Sequence, residues 1–351
     1  MRNLKNSVKK RIDYLDLLRV VAIVGVISFH YLFSAISRGR TPQLSASPLF
    51  EWARYGYLGV ELFFMISGFV ILQSVRDLNL VQFIKRRFLR LYPIYWISLI
   101  FIYVIATFGI WHRQGPFAEV FYYNLTMFPT AFNQPWLDAA HWFMARQLQF
   151  YIAIAIIILF RGGKQLPNIF IWWSIIGCLW NLLDFNEFNI WYFNGFFALI
   201  AGGAIINVIR ENGFDQIRVV GLLASYVWAM KSRIDNVYWL DTNRGPGHSA
   251  LAIGIIVSVI YLLMMLTWNS NISQLSIRYI GFAGTLSYPV YLIHDRLGGL
   301  AIARFATESN KYFIYITVVL TAVFLAYLIW HIEKRVMAKF SKSENQSLVT
   351  S

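Results

Sequence analysis

Tyr14-Leu-Asp-Leu-Leu-Arg-Val-Val-Ala-Ile-Val-Gly-Val-Ile-Ser-Phe-His30 decides the fold. The run is apolar almost throughout and continues to residue 36, whereas a bilayer is crossed by about 20 mostly apolar residues. Comparable runs follow near 55–74, 91–111, 141–160, 167–183, 190–209, 217–231, 248–268, 279–297 and 312–332. They are long and uninterrupted rather than alternating, which predicts helices and argues against strands. The expected architecture is an all-α, polytopic transmembrane bundle of about ten helices. Composition agrees: 58% of residues are apolar and 14% charged, against about 25% charged in a water-soluble domain. No internal repeat or linker divides the chain, and the polar segment after residue 336, above all Ser341–Ser351, is expected to fray.

The net charge of +14 does not point to nucleic acid, because the basic residues lie in short clusters between apolar runs. With ten spans, 19 of the 31 Lys and Arg fall on the face holding both termini and 11 on the other. Basic residues favour the cytoplasmic side, so both termini are expected there. Lys5, Lys9, Lys10 and Arg11 before the first run resemble the start of a signal peptide. That run, however, is long, contains Arg19 and His30 and shows no clear cleavage pattern, and so reads as a retained first helix. Cys178 is the only cysteine and lies in an apolar run, which excludes an intramolecular disulfide and suits a packed, inert thiol.

Ionisable groups inside a membrane helix are costly unless paired or facing water. Arg19 and His30 are eleven residues apart, roughly three full turns and about 16 Å along the axis, so both project from one face. Asp16, three residues before Arg19, is within reach of an ion pair. A second buried charge is expected at Glu61 in Gly59-Val-Glu-Leu-Phe-Phe-Met-Ile-Ser-Gly-Phe69, where Ser67-Gly68 also allows two backbones to approach closely. In Lys85-Arg-Arg-Phe-Leu-Arg-Leu-Tyr-Pro-Ile-Tyr-Trp96, Arg86, Arg87 and Arg90 gather at the cytoplasmic end of the third helix, and guanidinium groups suit phosphates. The bland alternatives are an Asp16–Arg19 lock within the bundle and a topology signal in the arginines.

Taken in order, these segments resemble the acyltransferase-3 family of bacterial membrane O-acyltransferases, which includes O-antigen (lipopolysaccharide), exopolysaccharide and Nod-factor acetyltransferases. The resemblance rests on Arg-x10-His in the first helix, the Gly59–Phe69 segment, the Arg86-Arg87-x-x-Arg90 cluster before Pro93 and Tyr95-Trp96, Trp142 with Phe150-Tyr151, and Ser287-Tyr-Pro-Val-Tyr-Leu-Ile-His294. It covers about residues 12–335, with the basic residues 1–11 before it, so the extracytoplasmic hydrolase-like domain of some members is not expected within these residues. One position departs from the pattern: Gln147 stands where a Glu is expected, beside Arg146.

The resemblance implies a bacterial inner-membrane enzyme whose donor is cytoplasmic acyl-CoA, with acetyl the expected group, and with no permanently bound cofactor and no metal. The acceptor is implied to be a sugar hydroxyl on a lipid-linked or exported glycan. His30 would be the base or carry the acyl group, with Arg19 binding a phosphate or stabilising negative charge. Arg86, Arg87 and Arg90 would hold CoA phosphates. Asp16, Glu61, Ser67, Trp142, Gln147, Tyr151, Tyr291 and His294 would support the site. Trp136, Tyr238 and Trp239 on the outer side would stack on sugars. The competing readings are a transporter or flippase, for which buried Asp16, Arg19, His30 and Glu61 would also serve, and an inactive relative acting as a subunit.

Overall fold

The computed structural model describes residues 11–75, 78–108, 118–185 and 191–349. The basic cluster at Lys5, Lys9 and Lys10 and the loop around Gly115 lie outside the described residues. Among the described residues there is no strand, and the chain folds as ten long helices, with short helical turns in the longer connections. They are α1 (Asp13–Ser37), α2 (Gly59–Val75), α3 (Leu80–Phe108), α4 (Trp142–Arg161), α5 (Leu166–Leu182), α6 (Gly195–Asn212), α7 (Gln216–Asp235), α8 (Ala250–Met265), α9 (Ile280–Phe305) and α10 (Lys311–Val349).

Each expected segment coincides with a helix, but the expectation of about ten spans is met only in part. Six helices, with their flanking turns, are long and apolar enough to cross a membrane: α1, α2, α3, α4, α8 and α10. The other four fall short for visible reasons. Helix α5 has 17 residues, α6 ends in Asn207, Arg210, Glu211 and Asn212, α7 carries Lys231, Arg233 and Asp235, and α9 carries His294, Asp295 and Arg296 in mid-helix. Several ends lie beyond the apolar runs. Helix α3 starts eleven residues early because its arginine-rich stretch is itself helical, α7 continues past residue 231 to Asp235, and α10 continues through the polar tail to Val349. Nothing in that tail breaks a helix, since it has neither Gly nor Pro.

Helix α6 is the axis of the bundle. It is buried at every residue from 197 to 209, as expected of a helix apolar on all sides. Its contact with α2 is made by glycines. A Cβ on Gly68 would lie 1.8 Å from the Ile200 carbonyl oxygen, and one on Gly203 would lie 1.9 Å from that of Met65. The Ser67-Gly68 pair is thus a place of backbone contact. The outer surface is apolar in stripes. Leu251, Ile255, Val259 and Leu262 on α8, and Phe313, Ile316, Leu320 and Phe324 on α10, are all exposed. Their spacing of three or four residues makes one greasy face on each helix, the surface a helix presents to hydrocarbon.

Candidate active site

Two chambers open into the bundle from opposite ends of α1. The first, of about 530 Å³, is lined by Arg11, Leu15 and Arg19 from the start of that helix. Ser67, Arg90, Gln147, Tyr151 and Tyr288 line it too, as do Trp330 and Glu333 from α10. Arg11 and Glu333 lie on one chamber, so the described chain enters α1 and leaves the apolar part of α10 at the same face. The second chamber, of about 690 Å³, is lined by Val26, Phe29 and His30 from the far part of α1, with Glu61, Trp136, Trp142, Arg146, Arg233, Trp239 and Arg244. Tyr291 lines both.

At the first chamber the fully buried Asp16 carboxylate holds the start of α1 in place. It accepts from Arg11, and Arg19 Nη1 donates to its Oδ1 at 2.5 Å. Arg11 also donates to the Gly281 carbonyl at 2.6 Å and to Thr285 Oγ1 at 3.0 Å, tying α1 to α9. The arginine cluster of α3 divides. Arg90 lines the chamber. Arg87 is buried, bonds Ser74 and lies over the rings of Phe83 and Tyr151 at 5.4 and 5.1 Å. Arg86 is exposed and outside the chamber. The structure therefore sets Arg90 with Arg11 and Arg19, rather than bringing Arg86, Arg87 and Arg90 together.

His30 sits where α1 changes winding. Phe29–Ser34 is a π-helical turn, a widening often found at functional sites. Its Nδ1 is 2.9 Å from Asp295 Oδ1, off the axis of a linear hydrogen bond. Arg40 Nη1 stands 3.5 Å from the same oxygen. His294 is buried beneath, its ring centroid 4.9 Å from that of His30. Its Nδ1 donates to the Tyr291 carbonyl at 2.7 Å, so His294 Nε2 carries the lone pair and has no partner among the described residues. Arg19 and His30, expected on one face of α1, thus open into separate chambers.

Helix α9 is held at this level by side chains that take up its backbone groups. Asp138 Oδ2 accepts the Arg296 N–H at 2.8 Å, and the His141 ring donates to the Leu292 carbonyl at 2.8 Å. Those two backbone groups are the ends of one helical rung. The Tyr31 hydroxyl donates to the His294 carbonyl at 2.8 Å, and that of Tyr291 to the Ala140 carbonyl at 2.9 Å. Asp295 is therefore carried on a helix anchored to α1 and to the start of α4. Glu61 is buried as expected, and its partner is Arg233 Nη1 at 3.0 Å. Outside the spans, Asp241 accepts the backbone N–H and the ring Nδ1 of His248 at 2.9 and 2.8 Å. Those bonds hold its carboxyl below the ordinary range and fasten the short helix Val237–Arg244.

Of the residues singled out in the sequence, Arg19, Ser67, Arg90, Gln147 and Tyr151 meet at the first chamber, and His30, Glu61 and Trp142 at the second, with Trp136 and Trp239. Gln147 and Arg146 are neighbours in sequence but face different chambers. Tyr238 is 84% exposed and lines neither. Sequence reasoning missed Asp295, Asp138, His141, Arg233 and Arg244. The usable signal was His294-Asp295-Arg296, three polar residues in succession within an apolar helix.

No solved structure matches the chain. The peptidoglycan O-acetyltransferase OatA of Listeria monocytogenes is 23% identical over 329 residues, covering 82% of this chain and 49% of the relative. The O-acetyltransferase OatA of Staphylococcus aureus is 29% identical over 175 residues, 44% of this chain and 26% of the relative. The chain thus spans about half, or less, of the length of these relatives. The profile of the acyltransferase-3 family, described as an acyltransferase domain, matches residues 12–335, from the Asp16-anchored start of α1 to the last apolar turns of α10. The match takes in every residue lining the two chambers except Arg11, and this chain belongs to the acyltransferase-3 family.

Proposed function

We propose that this protein is a membrane O-acyltransferase that moves an acyl group, acetyl in the simplest case, from acyl-CoA to a glycan hydroxyl. The observation that carries the reading is the pairing of chambers: arginines on one, His30 against Asp295 on the other, and Tyr291 common to both. All ten helices cross the membrane in this reading, with both termini and the Arg19–Arg90 chamber on the cytoplasmic side, where acyl-CoA is made. The four less apolar helices are shielded by the bundle or keep their charges at its ends and chambers. The Listeria and Staphylococcus relatives, named as O-acetyltransferases, support acetyl as the group and a cell-wall or surface glycan as the acceptor.

The CoA phosphates dock on Arg11, Arg19 and Arg90, and the thioester reaches past Tyr291. The sugar lies against Trp136, Trp142 and Trp239, aromatic faces suited to stacking. The Asp295 carboxylate beside Nδ1 favours a proton on that nitrogen electrostatically, leaving Nε2 as the base. His30 takes the hydroxyl proton as the hydroxyl oxygen bonds to the carbonyl carbon. The carbon–sulfur bond then breaks, and the thiolate leaves and takes up a proton.

A transporter or flippase is the second reading, favoured by chambers at opposite faces with one residue in their shared wall. Purified protein in liposomes separates the two. Release of free CoA from acetyl-CoA in step with glycan acetylation, abolished by His30→Ala in protein that still inserts normally, is the outcome expected of the enzyme. Glycan movement without thioester consumption would establish the transporter.

A further inference from the structure

The second chamber carries more positive than negative charge. Arg146, Arg233 and Arg244 line it, against Glu61. Glu61 is matched to Arg233. Arg146 Nη1 donates only to the neutral Gln149 Oε1, at 2.9 Å. The Arg244 guanidinium lies 5.7 Å from the Trp239 ring centroid. Among the described residues neither Arg146 nor Arg244 has a carboxylate partner. Both are half-buried. A guanidinium keeps its proton under all ordinary conditions. Asp295, beside His30, acts on Arg244 only from beyond ion-pair distance, so both cations lack a direct carboxylate contact, which is costly for groups partly withdrawn from water.

Their placement is fixed independently. Arg146 is on α4. Arg244 ends the short helix that Asp241 and His248 fasten, and its carbonyl accepts the Ser37 hydroxyl at 2.9 Å, next to the end of α1. The two cations therefore approach, from separate elements, the chamber that His30 and the tryptophans also line. Guanidinium forks of this kind match the planar or tetrahedral oxyanions of carboxylates and phosphates.

We propose that the acceptor is anionic: it carries a carboxylate or phosphate that Arg146 and Arg244 grip while its hydroxyl faces His30. This rests on the reading of the second chamber as the acceptor side. The oxyanion has two sources, an acidic group on the sugar itself or the pyrophosphate of a lipid carrier.

The test uses the whole chain in lipid nanodiscs with acetyl-CoA and three probes. These are a neutral N-acetylglucosamine disaccharide, the same disaccharide bearing a lactyl carboxylate, and the neutral disaccharide on a polyprenyl pyrophosphate. At least one charged probe should show an acceptor KM roughly 10-fold or more below that of the neutral one, the scale of a charge-assisted contact. Which charged probe it is identifies the source of the oxyanion. The ratio should collapse towards one in Arg146→Gln/Arg244→Gln, while Arg244→Lys, which keeps the charge, should retain part of it. Equal KM for all three probes, or a ratio untouched by the substitutions, overturns the proposal. So does a variant that raises the acetyl-CoA KM instead, since the arginines would then belong to the donor. Probe binding, followed by tryptophan fluorescence, separates this inference from the activity beneath it. Arginine-dependent binding of a charged probe without any transfer removes the enzymatic reading and keeps the anion site; absence of both removes both.

Discussion

His30, in the π-helical turn of α1, stands 2.9 Å from Asp295 of α9, and the two are brought together across 265 residues of chain. The carboxylate is buried, and its helix is pinned on both sides of it by Tyr31, His141 and Asp138. If Asp295 positions the imidazole, Asp295→Asn should lower kcat by about 100-fold or more, the usual scale of base catalysis. Both KM values should change little, and Asp295→Glu should restore part of the rate. Wild-type kcat in the Asn variant would show that the carboxylate only braces α9.

The arginines of α3 should behave unequally. Arg90→Lys keeps charge but loses the planar fork, and should raise the acetyl-CoA KM roughly 10-fold or more with the acceptor KM unchanged. Arg86→Lys should leave both unchanged, because that side chain is outside the chamber. Arg87→Lys should act on stability, since Arg87 is occupied by Ser74 and Tyr151. Equal donor KM effects in all three would restore a single clamp.

Gln147→Glu should retain activity. The amide Nε2 of Gln147 is buried without a partner among the described residues, and the residue shares its chamber with Arg11, Arg19 and Arg90. A carboxylate there would meet those cations and not Arg146, which faces the other way. Complete loss of acylation in a normally expressed variant would show that the site depends on the amide.

The contact of α2 with α6 should tolerate no side chain. Gly68→Ala places a methyl group against the Ile200 backbone, and overpacking that cannot relax costs about 3 kcal/mol. Gly299→Ala, with nothing within 4 Å of the new Cβ, should be neutral or slightly stabilising. Thermal unfolding in detergent compares them; equal midpoints would mean that the two helices can separate.

A reporter that is active only outside the cytoplasm should be silent after Ser351 and active when placed at Asn133, beside the His30 chamber. The reverse pattern would invert the assignment of donor and acceptor faces.

The helices were readable because lipid and a buried core both demand apolar runs, and Asp16, Arg19, His30 and Glu61 stood out as charges within them. Their partners were less visible. Asp16–Arg19 is a local pair, three residues apart, and spacing alone finds it. Asp295 and Arg233 meet their partners only after folding, at separations that no periodicity encodes. Arg233 was further hidden because the apolar signal of α7 fades near residue 231 while the helix continues to Asp235. The division of Arg86, Arg87 and Arg90 has the same origin. Helical spacing allows them to converge, but Ser74 and Tyr151 decide where Arg87 goes.

Tyr291 lines both chambers, so at that point the insulating layer narrows from the roughly 30 Å of bilayer hydrocarbon to the breadth of a single side chain. For a donor tethered to a large, multiply charged nucleotide, this means that only its small neutral tip has to pass. On the proposed reading the charged body would stay on the side from which it came, and acylation beyond the membrane would need no exported cofactor. The same thinness is a hazard, because any opening wide enough for water would also leak ions. The hydroxyl of Tyr291 is fastened to the Ala140 backbone, which makes this residue a seal as much as a passage.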